Sequence, residues 1–263
     1  MKRFIYASVL ICALAFFGCS KKEEAPATTE TTPAAPAETA KPAAGPDMAS
    51  GATVIGKVNF TGTKPAPKKL RMEQDKYCAA QHPGGSIETE DVVVNDNGTL
   101  SNVFVWVSDG LGNQSFNAPS QAVTLNQKGC QYLPHVVALQ TGQPLAIVNS
   151  DNTNHNIHPM PKNNPEWNES QAPGSPTKNK IFNREEILIP VKCNVHPWMK
   201  SYIGVVKHPF FAVTGKDGSY EIKGLPAGTY TITAWQEKYN KMEQKITVAP
   251  KEAKTVDFSF TGQ

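Results

Sequence analysis

A chain of 263 residues has room for one large or two modest domains. Its 26 basic and 23 acidic residues leave a formal charge of only +3. With no basic patch and no interleaving of aromatic and basic residues, nucleic acid is excluded as an expected partner.

The chain opens with Lys2 and Arg3, an apolar run from Phe4 to Phe17, and then Gly18-Cys19. That run is too short and wrongly flanked for a spanning helix, so residues 1–19 read as an export leader. A cysteine directly after a small residue at the end of such a run resembles a bacterial lipoprotein signal. The resemblance implies lipidation at Cys19, a membrane contact through the lipid anchor, and a place in the periplasm or at the outer-membrane surface. Ordinary secretion or an uncleaved anchor are the other readings. Residues 20–52 are rich in Ala, Pro, Thr and Glu, and up to residue 50 Met48 is their only hydrophobic side chain larger than alanine. They cannot bury enough surface to offset ordering entropy and are expected to be a disordered tether.

From residue 53 onward, short runs of Val, Ile, Phe, Tyr and Thr are punctuated by Gly, Pro, Asn and Asp: TVIGKVNF, DVVVNDNGTL, NVFVWVSDG, AVTLNQ, HVVALQ, PLAIVNS, EILIPVKC, YIGVVKH, TYTITAW and QKITVAP. Period-two alternation and the turn pairs Asn97-Gly98 and Asp217-Gly218 predict an all-β fold of sandwiches built from antiparallel hairpins. Only residues 71–81 read as a helix. Residues 161–180, polar and rich in Pro and Asn, read as a long surface loop.

Two of the five cysteines, Cys12 and Cys19, belong to the leader. Three remain in an exported chain, so one thiol must do something other than pair. Cys193 stands out, because "KCNVHPWM" places Cys193, His196 and Met199 three residues apart. Cys78 and Cys130 are then a possible disulfide. Each also precedes a histidine, His82 and His135, which leaves a second Cys/His metal site open.

On a tight loop, thiolate, imidazole and thioether fall on one side. "SDNTNHNIHPM" supplies another imidazole. His155 and His158 point to opposite faces of an extended chain, so only one joins the group. His155, flanked by Asn154 and Asn156 in a polar loop, is the expected ligand, and His158 is expected in the surroundings. One thiolate, two imidazoles and a weak thioether form a trigonal copper donor set. A buried free cysteine beside a core methionine is the plain structural alternative. A cysteine nucleophile would leave Met199 and His155 without a role.

"CNVHPWM", with "NSDNTNHNIH" upstream, resembles the cupredoxins over residues 121–209. The resemblance implies a Greek-key β-sandwich holding one type 1 copper, with His155, Cys193, His196 and Met199 as metal ligands. Asn156 would brace the cysteine loop, and Pro197 and Trp198 would form a docking patch around an exposed edge of His196. Further on, "G-x-Y-x-I-x-G-L-P-x-G-x-Y-x-I-x-A" at Gly218 to Ala234 resembles the carboxypeptidase regulatory-like sandwiches, which implies a small Ig-like module over residues 210–263 with no chemistry of its own. "GKVNFTGTKPAP" resembles the opening strand of that family. Residues 53–120 are therefore expected to form a β segment that pairs with the C-terminal sandwich.

The expectation is an exported, monomeric electron carrier with a redox partner protein, not an enzyme. A non-redox copper-binding or cell-envelope interaction lipoprotein is the alternative. Hydrolase, metalloprotease, P-loop, Rossmann and covalent-haem motifs are all missing. The histidines do not suffice for a second copper cluster.

Overall fold

The computed structural model of the protein describes residues 48–84 and 87–262. The leader with Cys19, and the tether up to residue 47, lie outside the described residues. The expected tether ends earlier than residue 52. Met48–Ser50 form a short 3-10 turn, and fully buried Ala52 begins the strand Ala52–Gly62, because its methyl enters the core.

The fold is all-β, with two sandwiches. In the first, Ala52–Gly62 is central: it pairs antiparallel with Ser219–Leu225 and parallel with Ala253–Thr255 and Phe258–Gly262. The facing sheet runs Phe211–Val213, Phe104–Asp109, Gly228–Gln236, Asn240–Val248. Alternate side chains of both sheets, among them Val54, Val58, Val105, Tyr220, Ile222 and Ile232, close one apolar core. Gly56 is required here, since a Cβ would stand 1.9 Å from the Val256 carbonyl oxygen.

The second sandwich lies between the first one's strands in sequence. One sheet runs Gln131–Leu133, Val123–Lys128, Pro144–Asn149, Lys178–Ile181; the other runs Val136–Gln140, Lys200–Val206, Glu186–Lys192, His155–Pro159, Glu169–Gln171. Leu125, Leu145, Ile147, Ile157, Ile189 and Ile203 fill its core. A smaller cluster of Phe104, Trp106, Val136, Leu188 and Val206 joins the two sandwiches. The Phe104 ring comes within 3.0 Å of where a Cβ on Gly204 would be, so that glycine opens the space for it.

Four sequence expectations change. Pairing is not purely antiparallel: Val123–Lys128 with Pro144–Asn149 and Val136–Gln140 with Lys200–Val206 run parallel, since their connections cross over instead of turning back. Asp217-Gly218 joins strands of opposite sheets rather than a hairpin. Residues 161–180 are not all loop, because Glu169–Gln171 adds to His155–Pro159 and Lys178–Ile181 begins within it. The helix over 71–81 shrinks to Lys76–Ala80, capped by Asp75, whose Oδ1 accepts from Cys78 N at 2.9 Å. No helix among the described residues is long and apolar enough to cross a membrane.

Candidate metal centre

Strand register builds the site. Lys192 pairs with His158 and Val191 with Pro159, which brings the strand opening at His155 alongside the exit to Cys193. The loop 193–199 closes on itself: His196 N donates to Cys193 Sγ at 3.4 Å, Met199 N to His196 O at 2.9 Å, and Cys193 N to Met199 O at 3.2 Å. Asn156 N adds a second donor to the same sulfur at 3.4 Å. The Asn156 side chain accepts from Asn194 N, tying the loop to the histidine strand.

His155 Nδ1 faces His196 Nδ1 at 2.9 Å, and Cys193 Sγ lies 3.8 Å from His196 Nδ1. All three side chains are buried. One ligand atom from each lies within 4.8 Å of the others. Met199 is buried in the core cluster that holds Cys193. His158 points away from this group, its Nε2 2.5 Å from Glu166 Oε1 and its Nδ1 3.3 Å from Asn194 Oδ1.

Electrostatics prepare the sulfur for a cation. Burial opposes ionisation of Cys193, but hydrogen bonds from His155 and from the N–H groups of Asn156, His196 and Val195 bring its pKa down to about 6. Asp151 Oδ2 holds His155 Nε2 at 2.8 Å, which directs Nδ1 into the site. Burial pushes the His155 pKa down, yet Asp151 and Cys193 win and raise it.

The donors fit a soft, first-row ion. A trigonal ion with bonds of about 2.1 Å to nitrogen and about 2.3 Å to thiolate would separate nitrogen from sulfur by about 3.8 Å and the two nitrogens by about 3.6 Å. The distance from Cys193 Sγ to His196 Nδ1 matches, whereas His155 Nδ1 and His196 Nδ1, 2.9 Å apart, would have to part to admit the ion.

Cys78 and Cys130 form a disulfide, S–S 2.01 Å, leaving Cys193 as the free thiol among the described residues. Both sulfurs are thus spent, and no second Cys/His site forms with His82 or His135. His82 Nε2 lies 2.8 Å from Gly129 O, and His135 Nε2 lies 2.8 Å from Glu237 Oε2.

The expected docking patch needs correcting. His196 has no solvent edge: it is 1% exposed, because Asp75 and the Cys78–Cys130 bridge cover Nε2. Trp198 is half-buried, its Nε1 donating to Cys130 O at 3.1 Å, and Pro197 alone of the pair is exposed. Two carboxylates escaped the sequence reading. Asp151 sits four residues before His155, a spacing that offered a signal. Asp75 lies 121 residues from His196, and nothing local connects them.

No curated protein matches the chain. Among solved structures it is similar to a copper-containing nitrite reductase from Thermus scotoductus, at 19% identity and a TM-score of 0.31. That alignment covers 37% of this chain but 25% of the reductase, so the chain spans about a quarter of that enzyme. It is also similar to amicyanin from Paracoccus versutus (19% identity, TM-score 0.29, 38% of this chain and 96% of that one). A purple cupredoxin from Nitrosopumilus maritimus matches at 18% identity and TM-score 0.27, covering 32% of this chain and 98% of that one. Residues 205–261 match the model of the carboxypeptidase regulatory-like domain.

Proposed function

We propose that this protein is an exported type 1 copper protein that passes single electrons to and from a partner protein, with residues 1–19 directing export and Cys19 carrying a lipid anchor. The observation that carries this reading is the buried convergence of His155 Nδ1, His196 Nδ1 and a Cys193 sulfur that already accepts two backbone N–H groups. His155, Cys193 and His196 would hold the ion, with Met199 as the weak fourth donor. Bound there, copper supplies a one-electron couple. The chain's share is to keep the thiolate ionised, to fix the imidazoles, and to exclude water by burial, so that little rearranges between oxidation states.

Copper titration of the purified protein tests this. Cu(II) should give one intensely coloured equivalent through thiolate-to-copper charge transfer, and Cys193→Ser should abolish the colour. A colourless wild-type protein would sink the reading.

The burial of His196 favours a second reading, a copper-holding protein that does not exchange electrons quickly. A loaded protein that is blue but is not reduced by small electron donors or redox proteins within seconds would support holding over transfer.

A further inference from the structure

Between Ala52–Gly62 and Phe104–Asp109 the chain leaves the first sandwich and lays one short helix against the metal centre of the second. Asp75 does two things there. Its Oδ1 caps the helix at Cys78 N, and its Oδ2 lies 3.2 Å from His196 Nε2, the nitrogen facing away from Cys193. Capping needs only one oxygen, so the second contact is additional to it.

The disulfide fixes this placement. Cys78 Sγ is 3.7 Å from His196 Nε2 and is bonded to Cys130. The Cys130 N–H donates at 2.8 Å to Asp151 Oδ2, the same oxygen that holds His155. The two imidazoles are therefore linked behind the site through Asp151, Cys130, Cys78 and Asp75. Tyr77 adds a further tie, its hydroxyl accepting from Asn152 N at 2.8 Å.

We propose that Asp75 is a positioning residue for His196, and that the Cys78–Cys130 disulfide is the staple that keeps it in place, the pair setting how strongly the second imidazole donates to the metal. This rests on the copper reading above. With a carboxylate on Nε2, that nitrogen carries the proton and Nδ1 presents its lone pair inward. The negative charge also favours the doubly charged ion over the singly charged one. Were Asp75 only a helix cap, its removal would touch the fold and leave the metal alone.

The test uses the copper-loaded full chain and measures its reduction potential, alongside unfolding of the metal-free protein. Asp75→Asn keeps a good cap and should leave the metal-free unfolding midpoint in place. It should weaken Cu(II) relative to Cu(I) about tenfold, an upward shift of about 59 mV for one electron. Cys78→Ser/Cys130→Ser should shift the potential in the same direction, and adding Asp75→Asn to it should shift it no further. Should the double serine variant fail to fold, Asp75→Ala and Asp75→Asn decide alone, and both should raise the potential. A blue Asp75→Asn protein with an unmoved potential overturns this inference only, whereas a wild-type protein that takes up no copper overturns the metal reading itself.

Discussion

Asp151 Oδ2 stands 2.8 Å from His155 Nε2 while its two oxygens also collect the N–H groups of Gly129 and Cys130, at 2.7 and 2.8 Å. One buried carboxylate thereby serves three donors on two strands' ends. Asp151→Ala would leave those donors unpaired in a dry interior. The expected cost is about 3–5 kcal/mol of unfolding free energy in the metal-free protein, measured by urea titration. A loss below about 1 kcal/mol would mean that water replaces the carboxylate freely.

His208 is buried beside Phe210 and accepts the Phe210 N–H on Nδ1 at 3.2 Å. Burial lowers its pKa from 6.5 to about 4. The unfolded chain therefore binds a proton that the folded one refuses, so stability is full above pH 6.5 and falls as pH drops towards 4. The group accounts for about 3 kcal/mol across that window. His208→Asn, whose side-chain oxygen can still accept from Phe210 N, should flatten that part of a stability-against-pH curve. An unchanged slope would rule His208 out as its source.

Glu237 acts in the same direction at lower pH. It meets His135 at 2.8 Å and Lys200 at 2.7 Å, just beyond Met199. Burial raises its pKa, but these two partners pull it down to about 2. Its stabilisation is present above pH 4.5 and disappears as pH falls through the folded value. Glu237→Gln should cost about 2–3 kcal/mol at pH 7 and much less near pH 2. Chemical denaturation at the two pH values checks this.

Gly204→Val places methyls where the Phe104 ring lies, 3.0 Å from the first added carbon. Overpacking there should destabilise by about 1–3 kcal/mol and disturb the near-UV signal of Trp106, which stacks on Phe104 at 4.9 Å. A native spectrum with an unchanged midpoint would show that the seam between the sandwiches yields.

Much of this molecule was legible in its sequence, for identifiable reasons. The candidate donor types announce themselves because the Cys193-to-Met199 loop is local, and the odd thiol follows from counting. Strand alternation said that only one of His155 and His158 joins the group, and the polar flanks Asn154 and Asn156 pointed to His155, which the structure places beside Cys193 and His196. What stayed hidden depends on distant segments. Nothing near Asp75 says that it will reach His196, and nothing near Pro197 or Trp198 says that a helix from far upstream will cover the ring expected to be exposed. Parallel pairing was hidden likewise, since period-two alternation is the same whichever way a neighbouring strand runs.

The first described strand has consequences for how the chain assembles. Apart from a short bridge to residues 98–100, Ala52–Gly62 finds its strand partners in segments from Ser219 to Gly262, so most of its pairing must wait until those segments have been made. The intervening sandwich, whose pairings are nearer in sequence, is free to form first, and its completion shortens the gap that the outer strands must close. Late association of the ends then acts as the final step of maturation. A chain truncated before Ser219 would leave Ala52–Gly62 without its partners among the described strands, an unpaired edge that invites aggregation.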